Sequence, residues 1–320
     1  MRELKQKPQI VISSRESPTS AQISELNESQ FILIAGTNLL NKNFNFLGPD
    51  TLATLNMINV PIIPVGIGLG DNVDSISDLS TQAYESLKAV LKNLEENGLS
   101  ASWRCLRTHQ FIEEFCRENS LNTENIMTGC PTLFNNQELS SYSQSRILYS
   151  ATIRHNFFER ELAGINAVIK YSYLNKLSKP CLYLQQPVTW KPSLAPKKLL
   201  ARQRFNRLIQ TAVSGGMELI EPKSIDECFW KLSQFSHHCG SRLHTHITFQ
   251  AHLRTSLLQA IDNRAEDFAM AFNQRSFVTK DNFTPELLES VFSNLEAAVV
   301  APNRTAWDRF LSRINQAPLR

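Results

Sequence analysis

The chain has 320 residues, 42% of them apolar and 20% charged, with a net charge of +3. That is enough apolar matter for two packed cores of about 150 residues each, and it excludes a disordered chain. So small a charge leaves no nucleic-acid footprint. Six scattered cysteines without a C-x-x-C pair read as reduced thiols, and no apolar run is long enough to be a signal or a span, so a cytoplasmic protein without a transmembrane segment is expected.

In chain order, short apolar and β-branched runs predict strands at 9–13, 31–35, 62–66, 103–107, 147–153, 180–185, 217–220, 235–240 and 257–261. Between them, helical periodicity predicts helices at 81–96, 110–119, 159–177, 195–214, 224–235 and 284–299. Apolar strands alternating with helices imply parallel sheets covered on both faces, hence α/β, Rossmann-like, doubly wound domains. The Asn-, Gln- and Ser-rich stretch at 133–145 sets a boundary. An N-terminal domain at 1–140, acceptor side, and a C-terminal domain at 141–320, donor side and ending in one more helix that packs back on either domain, are expected.

The stretch with most chemistry follows the strand at 235–240. Ser241-Arg242-Leu243-His244-Thr245-His246 leads into a helix at 247–252. A strand-to-helix turn at the carboxyl edge of a parallel sheet is where such folds bind ligands. The helix start favours an anion, Arg242 offers a planar fork for carboxylate or phosphate, and His244 can hold or give a proton near neutral pH.

Gly240-Ser241-Arg242-Leu243-His244 resembles the G-[TS]-R-L-H signature of polysaccharide pyruvyl transferases. Ala260-Ile261-Asp262-Asn263-Arg264 resembles that family's D-x-R element, Thr128-Gly129-Cys130-Pro131-Thr132-Leu133-Phe134 its G-C-P-T-L-F, Val65-Gly66-Ile67-Gly68 its G-x-G, and Cys105-Leu106-Arg107 takes the place of its x-V-R strand. The order holds over roughly residues 30–270. The resemblance implies a GT-B-like pair of Rossmann-like domains with an interdomain cleft, and transfer of a pyruvyl ketal from phosphoenolpyruvate, a co-substrate rather than a cofactor, to a sugar of a cell-surface polysaccharide. It further implies that Arg242, with Ser241 and Arg154, binds the donor, that His244 is the acid, and that the glycan acceptor lies near Asn38 and Gly68.

Three departures stand against that pattern. Lys42 occupies the place of an N-terminal Asp, leaving Asp50 or Asp71 as substitutes. The N-x-G-D entry is missing, so the first domain is abbreviated. A-G-x-P after the R-L-H helix reads Ala251-His252-Leu253-Arg254. A nucleotide-sugar glycosyltransferase of the same fold and a degenerate, non-catalytic member therefore stay open as alternatives. The histidines 237, 238, 244, 246 and 252 with Cys239 lack paired zinc spacing, and His237 and Cys239 should face one side of a strand and His238 the other. No metal is expected. Gly66-Ile67-Gly68-Leu69-Gly70 lacks the full dinucleotide fingerprint, and Cys130 reads as turn packing. The basic run from Lys191 to Arg207 reads as a solvated helix face, with contact to an anionic lipid or acidic glycan as the other reading. Oligomeric state is left open.

Overall fold

The computed structural model describes residues 10–13, 16–35, 38–70, 72–134, 145–152, 157–184, 196–293 and 304–315. Their elements run α1 (Ser20–Asn27), β1 (Ile32–Ala35), α2 (Thr51–Leu55), β2 (Ile62–Val65), α3 (Thr81–Glu96), β3 (Ser100–Trp103), α4 (Leu106–Glu118), β4 (Glu124–Met127) and β5 (Ile147–Ser150). They continue with α5 (Phe158–Leu174), β6 (Cys181–Tyr183), α6 (Pro196–Ser214), β7 (Glu218–Ile220), α7 (Ile225–Ser233), β8 (His237–Gly240), α8 (Leu243–Ala251), β9 (Thr255–Gln259), α9 (Asn263–Ala271), β10 (Val278–Thr279), α10 (Pro285–Phe292) and α11 (Arg304–Asn315). Two compact units result: Met1–Phe134 with Ala301–Arg320, and Asn135–Val300.

In the first unit, β1 pairs with β2 and β3 with β4, all parallel. An Ile67–Trp103 bridge and a Gly66 N–H to Ser102 carbonyl bond (3.0 Å) join the two pairs. The described strands thus lie side by side in chain order, β1-β2-β3-β4, with no reversal. The helix α3 shows why such elements form. Ser80 caps it through the Ala83 N–H (3.2 Å), and Ala83, Leu87, Val90, Leu91 and Leu94 recur at helical spacing on its buried face. Burial of each large one stabilises by roughly 1.5–3 kcal/mol.

Right-handed crossovers in a monotonic strand order put the connecting helices on one face of the sheet. Asn125 faces α4, where its amide reaches Cys116 Sγ at 3.5 Å. Its neighbour Glu124 therefore faces the opposite side, and there Arg309 and Arg313 of α11 pair with it. Trp307 stacks on Phe134 with ring centroids 4.5 Å apart. The closing helix, numbered within 141–320 but expected to pack on either domain, belongs to the first unit, because that sheet has a bare face and α11 has an apolar stripe (Trp307, Phe310, Leu311, Ile314) to cover it.

The second unit holds one six-stranded, all-parallel sheet in the order β10-β9-β8-β5-β6-β7. The chain moves outward from β5 through β6 to β7. It then returns to β8, on the other side of β5, and moves outward again through β9 to β10. This is the doubly wound order, and its direction reverses between β5 and β8. Alternating residues feed the two layers: Tyr149 and Cys239 enter the core with Ile165, Val168 and Leu288, while Leu148 enters the opposite one with Tyr183, Phe235 and Phe249. His237 lies against Phe292 of α10 and His238 against Phe249 of α8, on the two faces expected.

Some predicted elements move. Residues 10–13 form no strand. The strand expected at 103–107 ends at Trp103, so Arg107 sits on α4, where it pairs with Asp74 (2.7 Å) and the Val73 carbonyl (2.6 Å). The helix expected from 247 starts at Leu243, which brings His244 into its first turn.

Candidate functional site

In the second unit the carboxyl ends of β5 and β8 lie side by side at the strand-order reversal, Ser150 opposite Gly240. The approach is close. Gly240 has φ +138°, and a Cβ there would lie 2.2 Å from the Ser150 carbonyl oxygen. Only glycine combines that backbone angle with that contact. The chain then turns, the Ser241 N–H donates to the Ser150 carbonyl (2.9 Å), and α8 begins with Arg242 as its N-cap.

The turn is held from below by Glu161, in the first turn of α5 and 1% exposed. Its carboxylate accepts from Ser241 Oγ, from the Thr152 N–H (2.9 Å) and from the Tyr149 hydroxyl (2.8 Å). Burial pushes the carboxyl up, while the Ser241, Thr152 and Tyr149 bonds and the charge of Arg242 work the other way. Tyr149, fully buried beside that carboxylate, is held well above the usual phenol range by burial and by the neighbouring charge. Sequence reading missed Glu161, since a Glu one turn into an amphipathic helix looks like a solvated residue.

Arg242 is half-buried, and its Nε donates to the Ala151 carbonyl at 2.8 Å, across to the end of β5. This orients the guanidinium along the carboxyl edge. His244 is half-buried in the first turn of α8, and its ring makes no hydrogen bond with the described residues. The first turn of α8 has no side-chain cap on its N–H groups. Together these supply an anion-favouring helix end, a fixed cation and a titratable imidazole on one edge. After the next strand, β9, Asp262 caps α9 through the Arg264 N–H (3.2 Å) and takes the Arg264 side chain at 2.9 Å and 2.5 Å. The D-x-R element therefore forms an ion pair just past the end of β9.

Behind this edge lies a buried chain of hydroxyls and imidazoles. Ser150 Oγ meets His238 Nε2 (2.7 Å), His238 Nδ1 meets Ser256 Oγ (2.6 Å), and Ser256 Oγ meets His246 Nδ1 (2.7 Å). Burial lowers both histidines, His246 to about 3. The departure after α8 has its own explanation. Leu253 adopts φ +57°, and Arg254 is buried with its Nη1 donating to the carbonyls of Ser233 (2.8 Å) and Phe235 (2.5 Å). The arginine closes the end of α7 from a position where proline could not.

Asn38 and Gly68 belong to the first unit, and they do converge there. A Cβ at Gly68 would lie 2.2 Å from Arg104 Nη2 and 2.9 Å from Asn38 Oδ1. Arg104 is buried directly after β3, a placement hidden by the strand register predicted from sequence. Arg154, Trp190 and Asp71 lie outside the described residues, and Asp50 is exposed at the start of α2. Among the described residues no cluster of three or more His, Cys, Asp or Glu is placed to hold a metal ion, all six cysteines are free, and no helix is long and apolar enough to cross a membrane.

No family model matches the chain, and no curated protein matches it. Solved structures do. The MnaA–UDP co-structure from S. aureus superposes with a TM-score of 0.53 at 11% identity, over 92% of this chain and 79% of that one. The UDP-GlcNAc 2-epimerase from Neisseria meningitidis bound to UDP-GlcNAc gives 0.50 at 11%, over 89% and 74%. The glycosylation-associated protein complex Gap123 from Streptococcus agalactiae gives 0.50 at 9%, over 93% and 56%. The class that the fold defines is thus GT-B: α/β, with two Rossmann-like units.

Proposed function

We propose that the chain is a GT-B-fold enzyme of glycan metabolism that takes the phosphate-bearing end of a sugar-nucleotide donor at the carboxyl ends of β5 and β8. The observation that carries this reading is the strand-order reversal itself. It lies under the start of α8, with Gly240 clearing the approach, Arg242 anchored to Ala151 and His244 in the first turn. A phosphate there would meet unpaired N–H groups, a positive dipole end and a guanidinium, and His244 would give a proton to a leaving oxygen or take one from an attacking hydroxyl. Two of these neighbours in fold were solved with UDP or UDP-GlcNAc, which supports a nucleotide sugar over other phosphorylated donors.

The second reading is pyruvyl transfer from phosphoenolpyruvate to a glycan hydroxyl pair. The observation in its favour is that Gly240-Ser241-Arg242-Leu243-His244 falls on this junction, where one arginine and one acid would suffice for a three-carbon enol phosphate. Thermal shift with UDP, UDP-GlcNAc and phosphoenolpyruvate separates the two. Stabilisation by the uridine compounds and not by phosphoenolpyruvate supports the first, the reverse supports the second, and no shift with any of them removes both.

A further inference from the structure

The longest helix of the second unit carries charge of one sign. Over 19 residues α6 has five basic residues, Lys197, Lys198, Arg202, Arg204 and Arg207, and no Asp or Glu. Its buried stripe, Phe205, Leu208 and Ala212, seats it in the core. Its outer face is unusual for a solvated one: Leu199 is 41% and Leu200 46% exposed, with the exposed Arg202 on the same amino-terminal half and the exposed Arg207 just past the helix midpoint. Arg204 and Arg207 both lie over the ring of Phe158, 5.7 Å from its centroid. Phe158 opens α5, the helix that follows β5. The basic half of α6 therefore stands at the carboxyl edge of the sheet, the edge where α8 starts.

We propose that the amino-terminal half of α6 docks this unit on an anionic lipid bilayer. Exposed leucines flanked by arginines are what an interfacial helix needs: apolar side chains to enter the acyl boundary and cations to meet the headgroups. Each basic residue near an anionic surface strengthens binding about fivefold at physiological salt. An acidic polysaccharide would use the cations but has no need of Leu199 and Leu200, and these two favour the lipid. The docking also names an acceptor class, a glycan carried on a lipid. That last step rests on the function proposed above; the lipid contact does not.

The test is co-sedimentation of the full chain, without donor or acceptor, with phosphatidylcholine vesicles and with vesicles containing 30% phosphatidylglycerol, taken as about a third anionic lipid. The expected result is at least about tenfold tighter partitioning on the anionic vesicles, weakened by added salt. Arg202→Glu combined with Leu199→Ser and Leu200→Ser alters exposed side chains only and should abolish it, while Arg117→Glu on α4, 77% exposed, should not. Leu199→Ser with Leu200→Ser alone, Arg202 kept, should weaken binding as well. Equal partitioning on both vesicle types, an unchanged triple variant, or binding to an acidic polysaccharide without binding to vesicles would overturn the proposal. Since no substrate is present, none of these outcomes touches the donor assignment.

Discussion

Ser241 and Glu161 are 80 residues apart in sequence, yet the Ser241 hydroxyl donates directly to the Glu161 carboxylate beneath the start of α8. One buried acid thereby ties the end of β5, the first turn of α5 and the turn after β8 into a single corner.

Replacing that acid should be costly. Glu161→Ala leaves the Ser241 hydroxyl, the Thr152 N–H and the Tyr149 hydroxyl without their acceptor, and each stranded buried donor costs about 1–3 kcal/mol. A loss of about 3 kcal/mol or more is expected in urea denaturation, against a smaller one for Glu161→Gln, which keeps the shape and one acceptor oxygen. Equal stability of Glu161→Ala and wild type would show that the corner is not held this way.

His244→Ala should separate chemistry from stability. The ring is half-buried and bonds to none of the described residues, so its removal should shift unfolding by no more than about 0.5 kcal/mol. Turnover of whichever donor stabilises the protein should fall by about 10²–10⁴, the usual worth of one positioned acid. Phosphate or nucleotide release at the wild-type rate would remove His244 from the reaction.

Stability should decline with acid through the two core histidines. Burial depresses His238 and His246 below the ordinary value of 6.5, His246 to about 3. Between those values the unfolded chain binds protons that the folded chain refuses. Their contribution is therefore complete above pH 6.5 and is lost as pH falls toward the folded values, at about 1.4 kcal/mol per pH unit for each histidine. His246 Nε2 is buried without a hydrogen-bond partner, so His246→Leu gives up few bonds. It should lower the slope of stability against pH between 6.5 and 5 by one histidine's share, measured by urea denaturation at both pH values.

The closing helix should hold the first unit by its apolar stripe rather than by its ion pairs. Arg309 and Arg313 are 63% and 49% exposed where they meet Glu124, which leaves each pair worth at most about 1 kcal/mol. Trp307 is 5% exposed and stacked on Phe134, and truncating such a ring costs about 3–5 kcal/mol. Trp307→Ala should thus destabilise several times more than Arg309→Ala with Arg313→Ala, as read from denaturant midpoints.

Much of the frame is legible in the residues alone. The period of 3.6 in Ala83, Leu87, Val90, Leu91 and Leu94, the apolar runs before each helix, and Gly240 ahead of Arg242 and His244 all act through neighbours in sequence, and such interactions can be read without coordinates. The α/β class, the helix at 81–96, the alternate faces of His237 and His238, and the position of the anion-favouring turn follow from them.

What required the tertiary structure is long-range. The four described strands of the first unit could have been wound in any order; only their side-by-side sequence left a bare face, and so α11 returned across the boundary to cover it. Glu161 reads as a surface acid because helical spacing does not reveal which carboxylate will meet three donors from 9, 12 and 80 residues away. Arg104, one residue past β3, reads as strand interior until the register is known. Local periodicity sets which residues are helix and strand and which side of each is apolar, whereas pairing order and buried polar contacts depend on loop closures over tens of residues, and those are decided only when the whole unit packs.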